Sequence, residues 1–393
     1  MKPEYYPGNR LQLLDSGQDY FPRLLADLAA AASEIHLETY IFADDAIGHA
    51  VAGALAAAAR RGVRVRILVD GFGARNFAAD FRPQLLEAGV QCLIYRPEIS
   101  PWPPRRHRLR RLHRKTVLID NRVGYIGGIN IIADENGPPE LIPRRDYAVR
   151  IEGPLLQAMR VALLRVWEGV AWASFRRRYR LRAPLPPAPL PAGEQKAALL
   201  RRDCFRNRND IFAAYLDALR HAESDILIAN AYFLPGYRFR HALGDARRRG
   251  VRVRILLQGK SDHALLHYAT RALYGALLAE GIEVYEYERS FLHAKVAVID
   301  EDWATVGSAN IDPFSLLLAK EGNLLARDRA FAGQLRASLE NLIENGSVRM
   351  HPDAIKRMPW HSRILRWCSY GLVRLLVDVA GYGSRHWQGG EGD

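Results

Sequence analysis

Two histidines, two lysines and two aspartates recur in this chain in one fixed pattern. Leu112-His113-Arg114-Lys115-Thr116-Val117-Leu118-Ile119-Asp120 is followed by Gly127-Gly128-Ile129-Asn130. Leu292-His293-Ala294-Lys295-Val296-Ala297-Val298-Ile299-Asp300 is followed by Gly307-Ser308-Ala309-Asn310. Both read H-x-K-x-x-x-x-D, then six residues, then G-[GS]-x-N. One H-x-K says little; two full copies with the same internal spacing say much more. The residue types suit chemistry on a phosphodiester. Histidine offers a nitrogen that serves as nucleophile, acid or base near neutral pH. Lysine offers fixed positive charge where charge builds on phosphate oxygens. The glycines allow close backbone approach, and the Asn adds a neutral donor. With two histidines, one can attack phosphorus while the other protonates the leaving oxygen.

Such a set needs two strands to present it. The aliphatic runs after Lys115 and Lys295 read as buried strands. Residues i and i+2 of a strand share a face, so each His points with its Lys. Around them the pattern alternates. A helix is expected over 20–32, a strand over 35–42, an Ala-rich helix over 45–61 ended by Gly62, and a strand through Val63, Val65, Ile67 and Val69. A short helix over 83–88 and a strand over 92–95 follow. The order returns as helix 211–223, strand 226–233 and a helix over 238–249 ended by Gly250. Arg249-Gly250-Val251-Arg252-Val253-Arg254-Ile255-Leu256 repeats Arg61-Gly62-Val63-Arg64-Val65-Arg66-Ile67-Leu68 residue for residue. The repeat predicts a duplication of a layered α/β unit, two halves facing across a pseudo-two-fold axis with both motif strands at one cleft. The expected boundaries are 1–183 for the first half, 184–194 for a proline-rich linker, 195–350 for the second half and 351–393 for an amphipathic tail.

Of the 393 residues, 49% are apolar, enough for a sizeable core, and the net charge is +13. That charge fits an anionic partner, either nucleic acid or an acidic membrane surface; a generally basic proteome would give the same figure. The three cysteines, Cys92, Cys204 and Cys368, fit neither a disulfide framework nor a zinc site, which points to a reducing compartment. No apolar signal core opens the chain and no run of 18 apolar residues occurs, so neither secretion nor a membrane-spanning helix is expected. Arg105 to Arg111 runs into the first motif, and Arg176 to Arg182 follows Trp167 and Trp172; each reads either as a solvated segment or as a contact for an anionic surface. Trp and Arg among aliphatics over 360–387 suit an interfacial helix, or one packed on the core.

The paired motifs resemble those of the phospholipase D superfamily. The likeness extends from about Gly8 to about Arg349, through Gly8 to Leu14, Asp146 to Pro154, Ala229 to Phe239 and Trp303 to Asn310, where it is similar to bacterial cardiolipin synthases. It implies two α/β/α sandwich halves around one shared active site. It also implies a two-step transfer of a phosphatidyl group through a phosphohistidine, from one phospholipid to phosphatidylglycerol or to glycerol, at the cytoplasmic face of a bacterial membrane. His113, Lys115, Asp120, His293, Lys295 and Asp300 form the candidate catalytic set, with Asn130, Asn310, Asp146 and Glu321 in support.

The superfamily places an acid about 30 residues after each motif His to fix its tautomer, which assigns Asp146 to His113 and Glu321 to His293. On a straight strand Asp120 and Asp300 face away from His and Lys, so a structural ion pair is expected of them. Which histidine is the nucleophile is not written in the sequence; the resemblance to two-motif relatives favours His113. No metal or other cofactor is expected, since the lysines stand where a cation would and no cluster has ligand spacing. No nucleic-acid partner is expected, and the second lipid substrate and the oligomeric state stay open. The competing readings are a phospholipase D-type hydrolase or nuclease, and a non-enzymatic basic binder.

Overall fold

In a computed structural model of the chain, the repeat is written in the strand order of one large sheet. The structure describes residues 3–97, 110–176, 179, 187–203, 207–260, 263–312, 319–353 and 359–379. Most of Arg105–Arg111, most of Arg176–Arg182, the start of the linker and the end of the tail lie outside them.

The first half contributes β1 (Tyr5–Asp15), α1 (Ser16–Ala29), β2 (Glu34–Thr39), α2 (Ala46–Arg60), β3 (Arg64–Asp70), α3 (Phe77–Asp80), α4 (Arg82–Glu87) and β4 (Gln91–Tyr95). It continues with β5 (Arg111–Leu112), β6 (Lys115–Ile119), β7 (Val123–Gly127), β8 (Arg144–Arg145), β9 (Tyr147–Glu152) and α5 (Leu155–Ala173). The second half contributes β10 (Gln195–Arg202), α6 (Asp210–His221), β11 (Asp225–Asn230), α7 (Tyr237–Arg248), β12 (Arg252–Gln258), α8 (Ala264–Ala272), α9 (Tyr274–Ala279) and β13 (Glu283–Tyr287). Then come β14 (Phe291–Leu292), β15 (Lys295–Ile299), β16 (Trp303–Gly307), β17 (Ala319–Arg327), α10 (Arg329–Gly346), β18 (Ser347–Arg349) and α11 (Trp360–Val379).

From β13 the sheet runs β12-β11-β15-β16-β17-β10, then β1-β9-β7-β6-β2-β3-β4. The second series is the first in reverse, so a pseudo-two-fold axis passes between β10 and β1, which pair antiparallel. The motif strands β6 and β15 each run antiparallel to both neighbours, β2 and β7 for the first and β11 and β16 for the second.

The sequence explains the local structure. α2 starts where the Asp45 side chain accepts from Gly48 N at 2.9 Å, and the chain turns out of it at Gly62 with φ +94°, a conformation glycine adopts without steric cost. Gly250 repeats that angle after α7. In β3, Val65, Ile67 and Val69 enter the outer core of the first half, while Leu68 packs on the opposite face. The alternating arginine is not solvent-facing: Arg66 is buried beside Glu34 at 3.5 Å, and its counterpart Arg254 meets Asp225 at 3.0 Å. A third core joins the halves, with Leu118, Ile126 and Val149 from one, Val296, Leu324 and Val306 from the other, and faces of α5 and α10 above them. This shared apolar core holds the two motif strands in one frame.

Candidate active site

The motif strands are zipped to the opposite half just before the histidines. β5 runs parallel to β17, and His113 N donates to Lys320 O at 3.0 Å. β14 runs parallel to β8, and His293 N donates to Arg145 O at 2.7 Å. Lys320 precedes Glu321 and Arg145 precedes Asp146, so each histidine arrives beside the acid of the other half. His113 Nδ1 lies 3.0 and 3.1 Å from the two oxygens of Glu321. His293 Nδ1 lies 2.6 Å from Asp146 Oδ2. The same-half pairing expected from spacing is thereby corrected: the pairs are crossed, because strand pairing between halves sets the neighbour.

A carboxylate is an acceptor, so each Nδ1 carries the proton and each Nε2 keeps its lone pair for chemistry. The rings are 17% and 12% exposed, enough for a ligand to touch them. The Lys115 ammonium donates to His113 O at 2.8 Å, and the Lys295 ammonium to His293 O. Lys295 Nζ also stands 3.6 Å from Asp146 Oδ2. Burial lowers the His113 pKa, with the lysine charges acting in the same direction and Glu321 opposing. His293 is pushed down further by burial and by Lys295, Arg144, Lys115 and His113. Burial brings Lys115 down to about 7 and lowers Lys295 as well. Glu321 stays below its usual value because His113, Lys115 and the Ser308 hydroxyl outweigh its burial. For Asp146 burial prevails and raises the pKa, against Lys295 and the Tyr147 N–H. Burial therefore favours the neutral forms of the histidines and lysines, and an anion between the lysines would offset their charge when protonated.

The motif glycines answer to these acids. A Cβ on Gly128 would stand 2.2 Å from Asp146 Oδ1. In the second copy Ser308 instead donates its hydroxyl to Glu321. Asn130 Oδ1 accepts from Ile41 N at 3.0 Å and Asn310 Oδ1 from Tyr232 N at 3.4 Å. Each amide thus ties the end of its motif to the loop after β2 or β11.

Asp120 and Asp300 differ from the expectation of an ion pair. Both sit at left-handed positions, φ 54° and 49°, where the chain leaves β6 and β15. Asp120 accepts from the backbone N–H groups of Ala32, Ser33 and Glu34 and from the Ser33 hydroxyl, at 2.7–2.8 Å. Asp300 does the same with Glu223, Ser224 and Asp225. These bonds hold both carboxyls below their usual pKa in spite of partial burial. The two aspartates anchor the far ends of the motif strands, away from the imidazoles.

Sequence reasoning missed three side chains at the site. The Tyr40 ring meets His113 edge-on at 4.8 Å and lies 5.4 Å from Lys115 Nζ. Phe291 stacks at 5.7 Å from His293. Arg144 stands over Phe291 and adds positive charge beside His293 and Asp146. None belongs to a repeated motif; the one signal was position, at a strand end or directly beside a motif residue.

Sheet, duplication and crossed histidine pairs define a two-motif protein of the phospholipase D type. A family model described as cardiolipin synthase, PLD-like domain, matches residues 24–137 and 215–343. The chain is 36% identical to cardiolipin synthase B of Escherichia coli (strain K12), over 98% of its own length and 93% of that protein's. It is 33% identical to the major cardiolipin synthase ClsA of Bacillus subtilis (strain 168), over 90% and 72% respectively. The solved phosphatidylserine synthase of Haemophilus influenzae Rd KW20 shares the fold, with a TM-score of 0.69 across 95% of both chains at 13% identity. The chain belongs to the phospholipase D-like cardiolipin synthase family.

Proposed function

We propose that this protein is a phosphatidyltransferase that makes cardiolipin. His113 Nε2 attacks the phosphorus of a phospholipid, the bond to the headgroup oxygen breaks, and His293 delivers the proton to the departing alcohol. The phosphatidyl group then sits on His113. A hydroxyl of phosphatidylglycerol, or of glycerol, gives its proton to His293 and attacks phosphorus, which frees His113. Passing through a covalent intermediate divides one hard displacement into two easier ones. Lys115 and Lys295 offset charge on the equatorial oxygens. The observation that carries this reading is the crossed pairing, Glu321 with His113 and Asp146 with His293, which leaves both Nε2 atoms available in one site. Family membership supports the choice of phospholipid substrates.

The substrates reside in a bilayer. Among the described residues no helix is long and apolar enough to cross a membrane. α11 packs against α8 through Tyr370 and Val373, which are buried, and exposes Trp360, Ile364, Leu365, Trp367, Leu375 and Leu376. An apolar face of that kind, with arginines beside it, suits docking in the headgroup layer. The reading places the protein at the cytoplasmic face, in keeping with the free thiols of Cys92 and Cys368 among the described residues. Incubating purified protein with labelled phosphatidylglycerol tests the activity. Cardiolipin plus glycerol is the expected product pair; phosphatidic acid alone would make the protein a hydrolase.

A further inference from the structure

Behind the catalytic strands, on the side of the sheet away from His113, lies a cavity of about 640 Å³, a size typical of small-molecule sites. Alternation along the strand puts it there: Arg114 lines it while His113 and Lys115 face the cleft, and Lys320 lines it while Glu321 faces the cleft. Its lining holds six basic side chains, among them Arg114, Arg165, Arg201 and Lys320, against one acidic residue, Asp203. Glu38 neutralises Arg114 on one edge at 2.7 Å, but the buried Nε of Arg114 has no hydrogen-bond partner among the described residues. Burial, together with the charges of Arg165 and Arg114, lowers the Arg201 pKa, and Asp203 and Asp210 only partly offset this. Among the described residues the lining is therefore more basic than acidic, with Arg114, Arg165 and Arg201 close enough to repel one another.

The opposite wall is apolar. One face of α5 lines it with Ala162, Val166, Val170 and Ala173. Just past that wall, Trp172 is 68% and Phe175 90% exposed, where aromatic rings suit a bilayer interface. A polyanion without a tail would leave the apolar wall unused, and a plain hydrocarbon would leave the basic lining unused. We propose that this cavity is a second, non-catalytic site for one anionic phospholipid, with its phosphate on Arg114, Arg165 and Arg201 and an acyl chain along α5. The duplication does not supply it twice: Arg114 and Glu38 become Ala294 and Ala229 in the second half. The inference rests on the lipid-facing reading above, and binding is read separately from turnover.

The test is photo-crosslinking of the full chain on vesicles of phosphatidylcholine containing a phosphatidylglycerol with a diazirine in its acyl chain, with labelled peptides mapped by mass spectrometry. Label on α5 is expected, with label on peptides of the catalytic cleft as the internal reference. The double change Arg165→Gln and Arg201→Gln should cut the α5-to-cleft ratio at least fivefold. Gly169→Phe is the second variant. Gly169 lines the cavity, and a Cβ there meets nothing within 4 Å, so a side chain starts in open space at the cavity and suits the helix better than glycine. It should cut the ratio as much. No label on α5 in the wild type, or a ratio unchanged by both variants, overturns the proposal. Equal competition by soluble glycerol phosphate overturns its lipid part. Cardiolipin synthesis with no label on α5 would remove this site and leave the proposed activity standing; label on α5 without synthesis would do the reverse.

Discussion

The two halves of the site share a plan and differ in their surroundings. His113 is held by both oxygens of a carboxylate kept ionised by its neighbours, with Tyr40 against its ring. His293 is held by one oxygen of a carboxylate whose pKa burial has raised, with Phe291 against its ring and Arg144 nearby. The residue between His and Lys is Arg114 in one copy and Ala294 in the other. The duplication kept the His and Lys that face the cleft, while Arg114 behind the first motif strand has Ala294 as its counterpart. The difference also separates two roles. His293 is the harder of the two to protonate, and under the proposed roles an anion held between the lysines would help it take up the proton it delivers.

The largest expected effect removes either role. His113→Ala and His293→Ala should each cost about 10⁴-fold or more in phosphatidyl transfer, and the double variant should be no worse than the singles, as groups acting as one unit are not additive. Product formation from labelled phosphatidylglycerol checks this. A single variant that keeps near-native synthesis breaks the shared site.

Next comes the crossing. Glu321→Gln and Asp146→Asn should each slow transfer by about 10²–10⁴-fold, because the wrong tautomer is then favoured. NMR of isotope-labelled histidine should show Glu321→Gln moving the ring signals of His113 and Asp146→Asn those of His293. The reverse pattern would restore the pairing within halves.

The fold and most of the site's residues were legible in the sequence; the crossing was not. The repeated Arg61 to Leu68 stretch and the two motifs announced duplication, and the palindromic strand order follows from it. Counting along the chain assigned Asp146 to His113, but the neighbour depends on β5 meeting β17 and β8 meeting β14, pairings between residues about 150–200 apart in sequence. Asp120 and Asp300 were read from a straight strand, yet both occupy left-handed positions where the strand has ended. Of the two tryptophans that precede the Arg176 to Arg182 run, Trp167 is wholly buried while Trp172 is exposed; helical neighbours five residues apart need not share an environment.

The lysines sharpen the comparison through stability. Lys115 has its pKa lowered to about 7 in the fold by burial, against 10.5 as the ordinary value. The unfolded chain therefore binds that proton more tightly, and charging Lys115 opposes folding. This cost is complete below about pH 7, declines as pH rises and is gone above about 10.5. Lys115→Met should lower transfer by about 10²-fold or more and yet raise stability by on the order of a few kcal/mol at pH 7. In denaturant titrations the gain should shrink towards pH 10. A variant less stable than wild type at pH 7 would show that Lys115 is a net structural support. EDTA should leave wild-type turnover unchanged, since these lysines supply the charge; loss restored by one divalent ion would refute that.

The smallest effect concerns the membrane, where the halves differ again. The first half carries the arginines from Arg105 to Arg111 beside its motif, and the second half carries α11. Each basic residue near an anionic surface contributes about 1 kcal/mol, and salt weakens that attraction by shortening the Debye length. Burial of apolar side chains does not respond in that way. Changing Arg105, Arg106, Arg108, Arg110 and Arg111 to Gln should lower binding to anionic vesicles and flatten its salt dependence. Removing α11 outright would uncover the core around Tyr370 and Val373, so the cleaner variant changes only exposed positions, Trp367→Gln, Leu375→Gln and Leu376→Gln. That variant should bind neutral vesicles more weakly at every salt concentration while keeping the wild-type salt slope on anionic ones. Sedimentation with vesicles across a salt series separates the two. If both variants sediment like wild type throughout, neither the arginine run nor α11 carries the contact, and the two halves do not divide the work of membrane docking between charge and apolar surface.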